Sequence, residues 1–357
     1  MGKTLQGILT ITYVCGSIIY KCSLNQLFAD YAEQLSCSNL YHQKGKVTNM
    51  NNQSTVTEFR LLGLSSFPEM QPLLFMSFLI IYLLTLAGNL SICLAIWADQ
   101  TLHTPMYFFL VNLSLLDISY SSVTLPNMLV TLVAKIKSLS FSSCMAQLYF
   151  LISFAGSESL LLALMAYDRY MAICQPLHYT TIMNQRTCMS SAIAIWIGGF
   201  VYSMLHTFFI ARLPFCGPNE INHFFCEIPP LIKLACMDTY FNEVLVFLLS
   251  GAVGGSCLLL ISTSYVYILS TIMKIHSAQG RRKAFSTCAS HLLTVLLFYG
   301  PGLFTHLRPS SSYSMDIGKV VSVFYTVVTP MLNPMIYSLR NKDVHAAFKK
   351  AMGRSRK

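Results

Sequence analysis

The stretch Met165-Ala-Tyr-Asp-Arg-Tyr-Met-Ala-Ile-Cys174 closes an apolar run that extends from Gln147 to Ala166. An adjacent acid and base, Asp168 and Arg169, stand at its end. Tyr167 and Tyr170 flank them, and the short loop Gln175-Pro-Leu-His-Tyr179 follows. Charges and tyrosines at the end of so long an apolar run mark a membrane–water interface, where they serve at the least as anchors. The whole chain has this character: 54% of its 357 residues are hydrophobic and 11% charged, which is not a soluble composition. A bilayer core takes roughly 20 apolar residues per helix. Seven stretches reach that length, at about 72–97, 105–130, 144–166, 188–209, 243–273, 287–307 and 319–339. They are too long and continuous for barrel strands, which alternate over about ten residues. The expected fold is therefore an all-α membrane protein, a seven-transmembrane helix bundle. Asp117 in the second span and His291 and His306 in the sixth argue for a polar pathway inside it.

The net charge of +10 would suggest a nucleic-acid partner on a soluble protein. Its distribution points to topology instead. Arg169, Arg186, Lys274, Arg281, Arg282, Lys283 and the tail from Arg340 to Lys357 fall on one side of a seven-span arrangement. The other side holds Arg60, Lys135, Lys137, Arg212, Lys233, Arg308 and Lys319, offset by Glu58, Glu69, Glu220, Glu227, Asp238, Glu243 and Asp316. Positive residues concentrate in the cytoplasm. The tail is accordingly expected inside and the N-terminus outside, with no nucleic-acid partner.

Other strings are equally distinctive. Leu102-His-Thr-Pro-Met-Tyr107 joins the first two spans, with Pro105 placed to start a helix. Gly88-Asn89 in the first span pairs a small residue with an amide able to bond across helices. Ser264-Tyr265 precedes a basic loop, His276 to Lys283, which continues as Ala284-Phe-Ser-Thr-Cys-Ala-Ser-His-Leu292. The seventh span ends Pro330-Met-Leu-Asn-Pro-Met-Ile-Tyr337-Ser-Leu-Arg340. Taken with Met165–Cys174, these strings resemble the olfactory (odorant) receptors of the tetrapod-type (class II) branch, which are rhodopsin-like G-protein-coupled receptors. The resemblance covers about residues 50–357. It implies an extracellular N-terminus and receptor domain over 50–340 and a basic cytoplasmic tail over 341–357. Within the tail, Lys342–Met352 suits a short amphipathic C-terminal helix. Residues 1–49 fall outside it. Their run Ile8–Tyr20 after Lys3 has signal-peptide length without a clean cleavage site, and reads either as a targeting segment or as an upstream extension. Asn52-Gln-Ser is a glycosylation sequon on the outer side, whereas Asn112-Leu-Ser lies within the second span, beyond a glycosyltransferase.

Four cysteines, Cys144, Cys216, Cys226 and Cys236, fall on the oxidising side and allow three pairings. The resemblance selects Cys144–Cys226 and Cys216–Cys236; Cys93, Cys174, Cys188, Cys257 and Cys288 read as packing residues. Arg169 lies 25 residues beyond Cys144, about seven turns, so this helix crosses the whole membrane. The resemblance implies that Asp168 holds Arg169 at rest and releases it to meet Tyr265 and a G protein. His291, and Asn333 and Tyr337 on one helical face around Pro334, complete this inner switch. Asp117 and Glu158 read either as separately satisfied acids or, as the resemblance implies, as a shared site for a sodium ion or a proton. Two ionised carboxylates at one depth would otherwise repel. No other cofactor is expected.

For the ligand, absences are informative. Seven residues after Cys144, where aminergic receptors carry an aspartate, stands Leu151; where opsins carry their lysine stands Val327. Neither an amine nor retinal is implied. The implied pocket uses Leu151, Ile152, Ala155, Gly156 and Ser159, a stripe that plain packing would also explain, with Ala155 and Gly156 leaving room. Opposite stand Ser250, Val253, Tyr299, Gly302, His306 and Thr326. The implied partners are a small neutral volatile odorant, a stimulatory heterotrimeric G protein that raises cyclic AMP, membrane lipid and accessory trafficking proteins, at the plasma membrane. No His-Glu-x-x-His, phosphate-cradling loop or nucleophile–base pair is present, so the chain does not read as an enzyme. A receptor of the same shape for a metabolite is the second reading. A channel or transporter would call for repeats and a charge-lined path, which the sequence lacks.

Overall fold

The computed structural model describes residues 56–63, 68–133, 138–216, 219–306 and 315–340. Residues 1–49, the Asn52 sequon and Lys342–Met352 lie outside these. Seven helices are long and apolar enough to cross a membrane. They are α1 (Gln71–Ala98), α2 (Pro105–Val133), α3 (Phe141–Cys174), α4 (Gln185–Ala211), α5 (Tyr240–Met273), α6 (Ala278–His306) and α7. The last runs as Met315–Val323, a π-helical stretch Phe324–Val328, and Thr329–Arg340. Local chemistry sets several starts. Pro105 opens α2. Ser140 Oγ accepts from the Ser143 N–H at 3.2 Å to cap α3, and Asn184 Oδ1 accepts from the Thr187 N–H at 2.9 Å to cap α4.

The axis of the bundle is α3. Its 34 residues span about 51 Å at 1.5 Å per residue, and it is the most buried of the seven. Close approach of α4 depends on Gly199, where a Cβ would stand 2.0 Å from Ser157 Oγ and 2.5 Å from the Ser153 carbonyl. With the backbones that close, hydroxyls bond across: Ser157 to the Ile195 carbonyl at 3.3 Å, and Ser203 to the Tyr149 carbonyl at 2.5 Å. Trp196 Nε1 donates to Asn112 Oδ1 at 3.1 Å, tying α4 to α2. Asn89 Nδ2 donates to the Pro330 carbonyl at 3.1 Å, tying α1 to α7.

The outer face carries a small sheet that the apolar runs do not announce. Strand β1 (Glu58–Leu61) lies between β2 (Ser138–Ser140), antiparallel with Glu58 opposite Ser140, and β3 (Glu220–Ile221), parallel with Arg60 opposite Glu220. Two-residue alternation puts Phe59 and Leu61 on one face. There they are buried with Cys144, Leu148, Ile210, Phe215, Ile221 and Cys226 in a second apolar cluster. The structure pairs Cys144 with Cys226, pinning the loop after α4 to α3, and Cys216 with Cys236 within that loop.

Helix ends differ from the apolar boundaries. The third begins at Phe141 rather than Cys144 and the fifth at Tyr240 rather than 243. The sixth begins at Ala278, so Arg281 and Arg282 are helical rather than in a loop. Hydropathy marks only the segment in hydrocarbon, whereas Ala, Gln, Arg and Lys carry a helix into water with little propensity cost.

Candidate functional site

Polar side chains gather at three depths. At the inner end of α3, Asp168 Oδ1 accepts from the Tyr179 hydroxyl at 2.9 Å. Tyr179 belongs to the short helix Pro176–Ile182. Burial, reinforced by the Asp168 charge, pushes its hydroxyl above the ordinary tyrosine range. The ion pairs among the described residues are Arg60–Glu220 and His223–Glu227, so Asp168 and Arg169 do not meet within ion-pair distance, although the Arg169 charge still acts on Asp168. Consecutive helical residues do not face each other. Asp168 turns to Tyr179 instead, while Arg169, only 9% exposed, brings its charge to bear on Tyr265, Cys288, His291 and Tyr337.

His291 joins three helices. Its Nε2 faces the Leu162 carbonyl at 3.1 Å; a carbonyl only accepts, so Nε2 carries the proton. Nδ1 then accepts from the Tyr265 hydroxyl at 2.8 Å, and the two rings stack at 5.7 Å. One side chain of α6 thus holds both α3 and α5.

At mid-depth, Asn333 Nδ2 donates to both carboxylate oxygens of Asp117, at 3.0 and 3.2 Å, joining α7 to α2. Pro334 follows inside the helix, freeing a backbone bond there. Glu158 is 4% exposed and close enough for its charge to act on Asp117. Glu158 Oε1 and Asn333 Oδ1 are buried oxygens without a donor. Buried oxygens without a donor beside a carboxylate suit either a hard cation or a proton held between the two acids, so Asp117, Glu158 and Asn333 would fit a sodium ion or a shared proton.

In the outer half, the Ser159 and Tyr299 hydroxyls meet at 2.7 Å, joining α3 to α6, with the Cys257 thiol of α5 in reach of both. Leu151 is buried, Ile152 packs on the outer cluster and Ala155 on the main core. The room expected at Gly156 is already filled, since a Cβ there would stand 2.9 Å from Tyr202 Cδ1. The Tyr202 hydroxyl donates to Ser250 Oγ at 3.3 Å, and His206 Nε2 faces the same oxygen at 3.4 Å. Val253 and Gly302 are half-buried. Thr326 donates its hydroxyl to the Ser322 carbonyl of its own helix at 2.6 Å, so what it has left for a ligand is an acceptor. The His306 side chain lies outside the described residues.

Sequence reading missed Tyr202 and His206. Its signal was present: a tyrosine and a histidine one turn apart within a membrane span. It also missed how the outer loop is seated. Gln147 accepts from the Cys226 N–H at 3.0 Å while donating to the Val123 carbonyl at 3.0 Å. Glu227 accepts from the Ser322 hydroxyl at 3.1 Å and from Tyr325, fastening the loop to α7. His223 Nε2 lies 3.4 Å from Glu227, and burial holds its imidazole below the ordinary histidine value against the pull of that carboxylate.

All three depths fall within residues 78–355, which match the family model described as Olfactory receptor. The chain belongs to the olfactory receptor family. Olfactory receptor 5AR1 of Mus musculus is 52% identical over 303 residues, covering 85% of this chain and 98% of the relative. Olfactory receptor 4E2 of Homo sapiens is 53% identical over 298 residues, covering 84% and 94%. As an olfactory receptor the protein is a multi-pass protein of the plasma membrane and a G-protein-coupled receptor rather than an enzyme.

Proposed function

We propose that the protein binds a small neutral volatile within the bundle and activates a stimulatory G protein, raising cyclic AMP. The observation that carries this is the double anchoring of α6. Tyr299 is held by Ser159 in the outer half. Eight residues earlier on the same helix, His291 is held by Leu162 and Tyr265 beside Arg169. A ligand that loosens the first anchor biases the second, and it does so only through unequal affinity for the two arrangements. Arg169, which makes no close ion pair with Asp168, then meets the G protein with Tyr265. The switch also includes Asn333, Pro334 and Tyr337 on α7. The basic residues Arg186, Lys274, Arg281 and Arg282 support a cytoplasmic position for this end, with the disulfide-bonded end outside.

A sodium ion would be held by Asp117, Glu158 and Asn333. It supplies the positive charge that lets two buried carboxylates share one site. Asp117→Asn and Glu158→Gln should then each alter the sodium dependence of basal signalling, and unchanged dependence in both rejects the ion. The main test is a cyclic-AMP screen of neutral odorants on cells displaying the receptor. Responses confined to small neutral compounds are expected; a charged amine as best agonist contradicts the proposal.

A further inference from the structure

We propose that Tyr202 and His206 of α4, with Ser250 of α5, form a hydrogen-bond-accepting subsite that selects agonists bearing a hydroxyl group. This rests on the odorant-receptor reading above and names the ligand class that the site takes. His206 is 1% exposed, and its Nδ1 lies 3.1 Å from the Tyr202 carbonyl. That carbonyl can only accept, so Nδ1 bears the proton. No carboxylate lies within ion-pair distance of His206 among the described residues, and an unpaired imidazolium is costly in such a place. The ring is therefore neutral and Nε2 is an acceptor.

The remaining valences follow from this. Ser250 gives its proton to His206 Nε2 across 3.4 Å and accepts from the Tyr202 hydroxyl across 3.3 Å. Every donor in the cluster is spent. What is left is a lone pair on Ser250 Oγ, one on the Tyr202 oxygen, and His206 Nε2, held only by a long bond. Both contacts are at the far end of the hydrogen-bond range, where an incoming O–H competes well. A carbonyl or ether ligand can take the Tyr202 or Ser250 proton only by breaking the bond that proton now makes, whereas an alcohol gives a proton in return. A protonated amine brings protons, but with an unpaired charge.

Space lies beside the cluster. Gly254 is one turn further along α5 on the same face as Ser250, and it has no atom within 4 Å of where a Cβ would stand. Gly254 is half-buried. An alkyl chain can occupy this region while its hydroxyl reaches Ser250 and His206.

The test uses the full chain in a cyclic-AMP assay at matched surface expression. Ligands are offered as triplets with one carbon skeleton: alcohol, ketone or aldehyde, and methyl ether. One hydrogen bond made or left unmade is worth about a factor of three to ten in potency, so alcohols should lead their triplets by that margin. His206→Phe and, as a milder change, Ser250→Ala should erase the lead, bringing the alcohol-to-ketone potency ratio within each triplet to about one. Carbonyl compounds equal to or better than the alcohols overturn the inference, as does an alcohol lead that survives both substitutions. Silence to the whole series at confirmed surface expression overturns the odorant reading and this inference with it. Responses without alcohol preference overturn this inference alone.

Discussion

Replacing Gly156 by alanine probes how α3, α4 and α5 fit together. The new Cβ would meet Tyr202 Cδ1 at 2.9 Å and Cε1 at 3.3 Å. Carbon atoms rest at about 3.5 Å or more, so the ring must retreat by roughly 0.6 Å. The Tyr202 hydroxyl is already 3.3 Å from Ser250, near the limit of bonding range, so that bond tolerates little movement of the ring. Overpacking of this kind costs about 1–3 kcal/mol, and leucine should cost more and silence the response. Thermal unfolding of the detergent-purified receptor measures the cost, and a double-mutant cycle with Tyr202→Ala assigns it. If Tyr202 is the obstacle, the alanine penalty should largely vanish once the ring is gone, a coupling of about 1 kcal/mol or more. An equal penalty with and without the ring refutes the assignment, as does unaltered potency in Gly156→Leu.

Two adjacent glycines of α4 should behave oppositely. Gly199→Ala drives a methyl against Ser157 Oγ and the fixed Ser153 carbonyl and should cost about 3 kcal/mol or more and prevent surface delivery. Gly198→Ala meets only Leu160 Cδ1, at an ordinary 3.6 Å, and should reach the surface like the parent; equal surface staining of the two variants would reject the α3–α4 packing described. The buried His223 gives a pH dependence. Its folded-state affinity for protons is lowered by burial, so the stability it contributes is full above the ordinary histidine value of about 6.5 and is lost as pH falls below it. Unfolding temperature should therefore drop between about pH 7 and 5.5, and His223→Gln should flatten that portion of the curve; a parallel fall in both proteins would assign the effect elsewhere.

The spans were legible because burial in hydrocarbon demands an unbroken apolar run, and each run from Gln71 to Tyr337 carries one. The Asp117–Asn333 contact was half legible: Asp117 stood out as a polar group at depth and Asn333 as part of the inner switch, but nothing in the spacing pairs α2 with α7. The small sheet escaped because Glu58–Leu61 and Ser138–Ser140 are too short to show a period of their own, and their pairing depends on loops brought together by the tertiary fold. The π-helical stretch Phe324–Val328 escaped for a related reason. Its residues suit an α-helix equally well, and the extra residue is tolerated where the Thr329 hydroxyl reaches both Phe324 and Leu297 of α6. Gly156 misled because a missing side chain reads as space, when a neighbouring helix had supplied Tyr202.

The central claim is that a ligand in the outer half of the bundle acts through α6 on Arg169 to drive nucleotide exchange. Agonist-stimulated binding of a non-hydrolysable GTP analogue to a stimulatory G protein, in membranes carrying the receptor, measures this directly. The parent should rise above its basal level with agonist, and Arg169→Ala should stay at basal at equal receptor density. Full stimulation through Arg169→Ala would contradict the account.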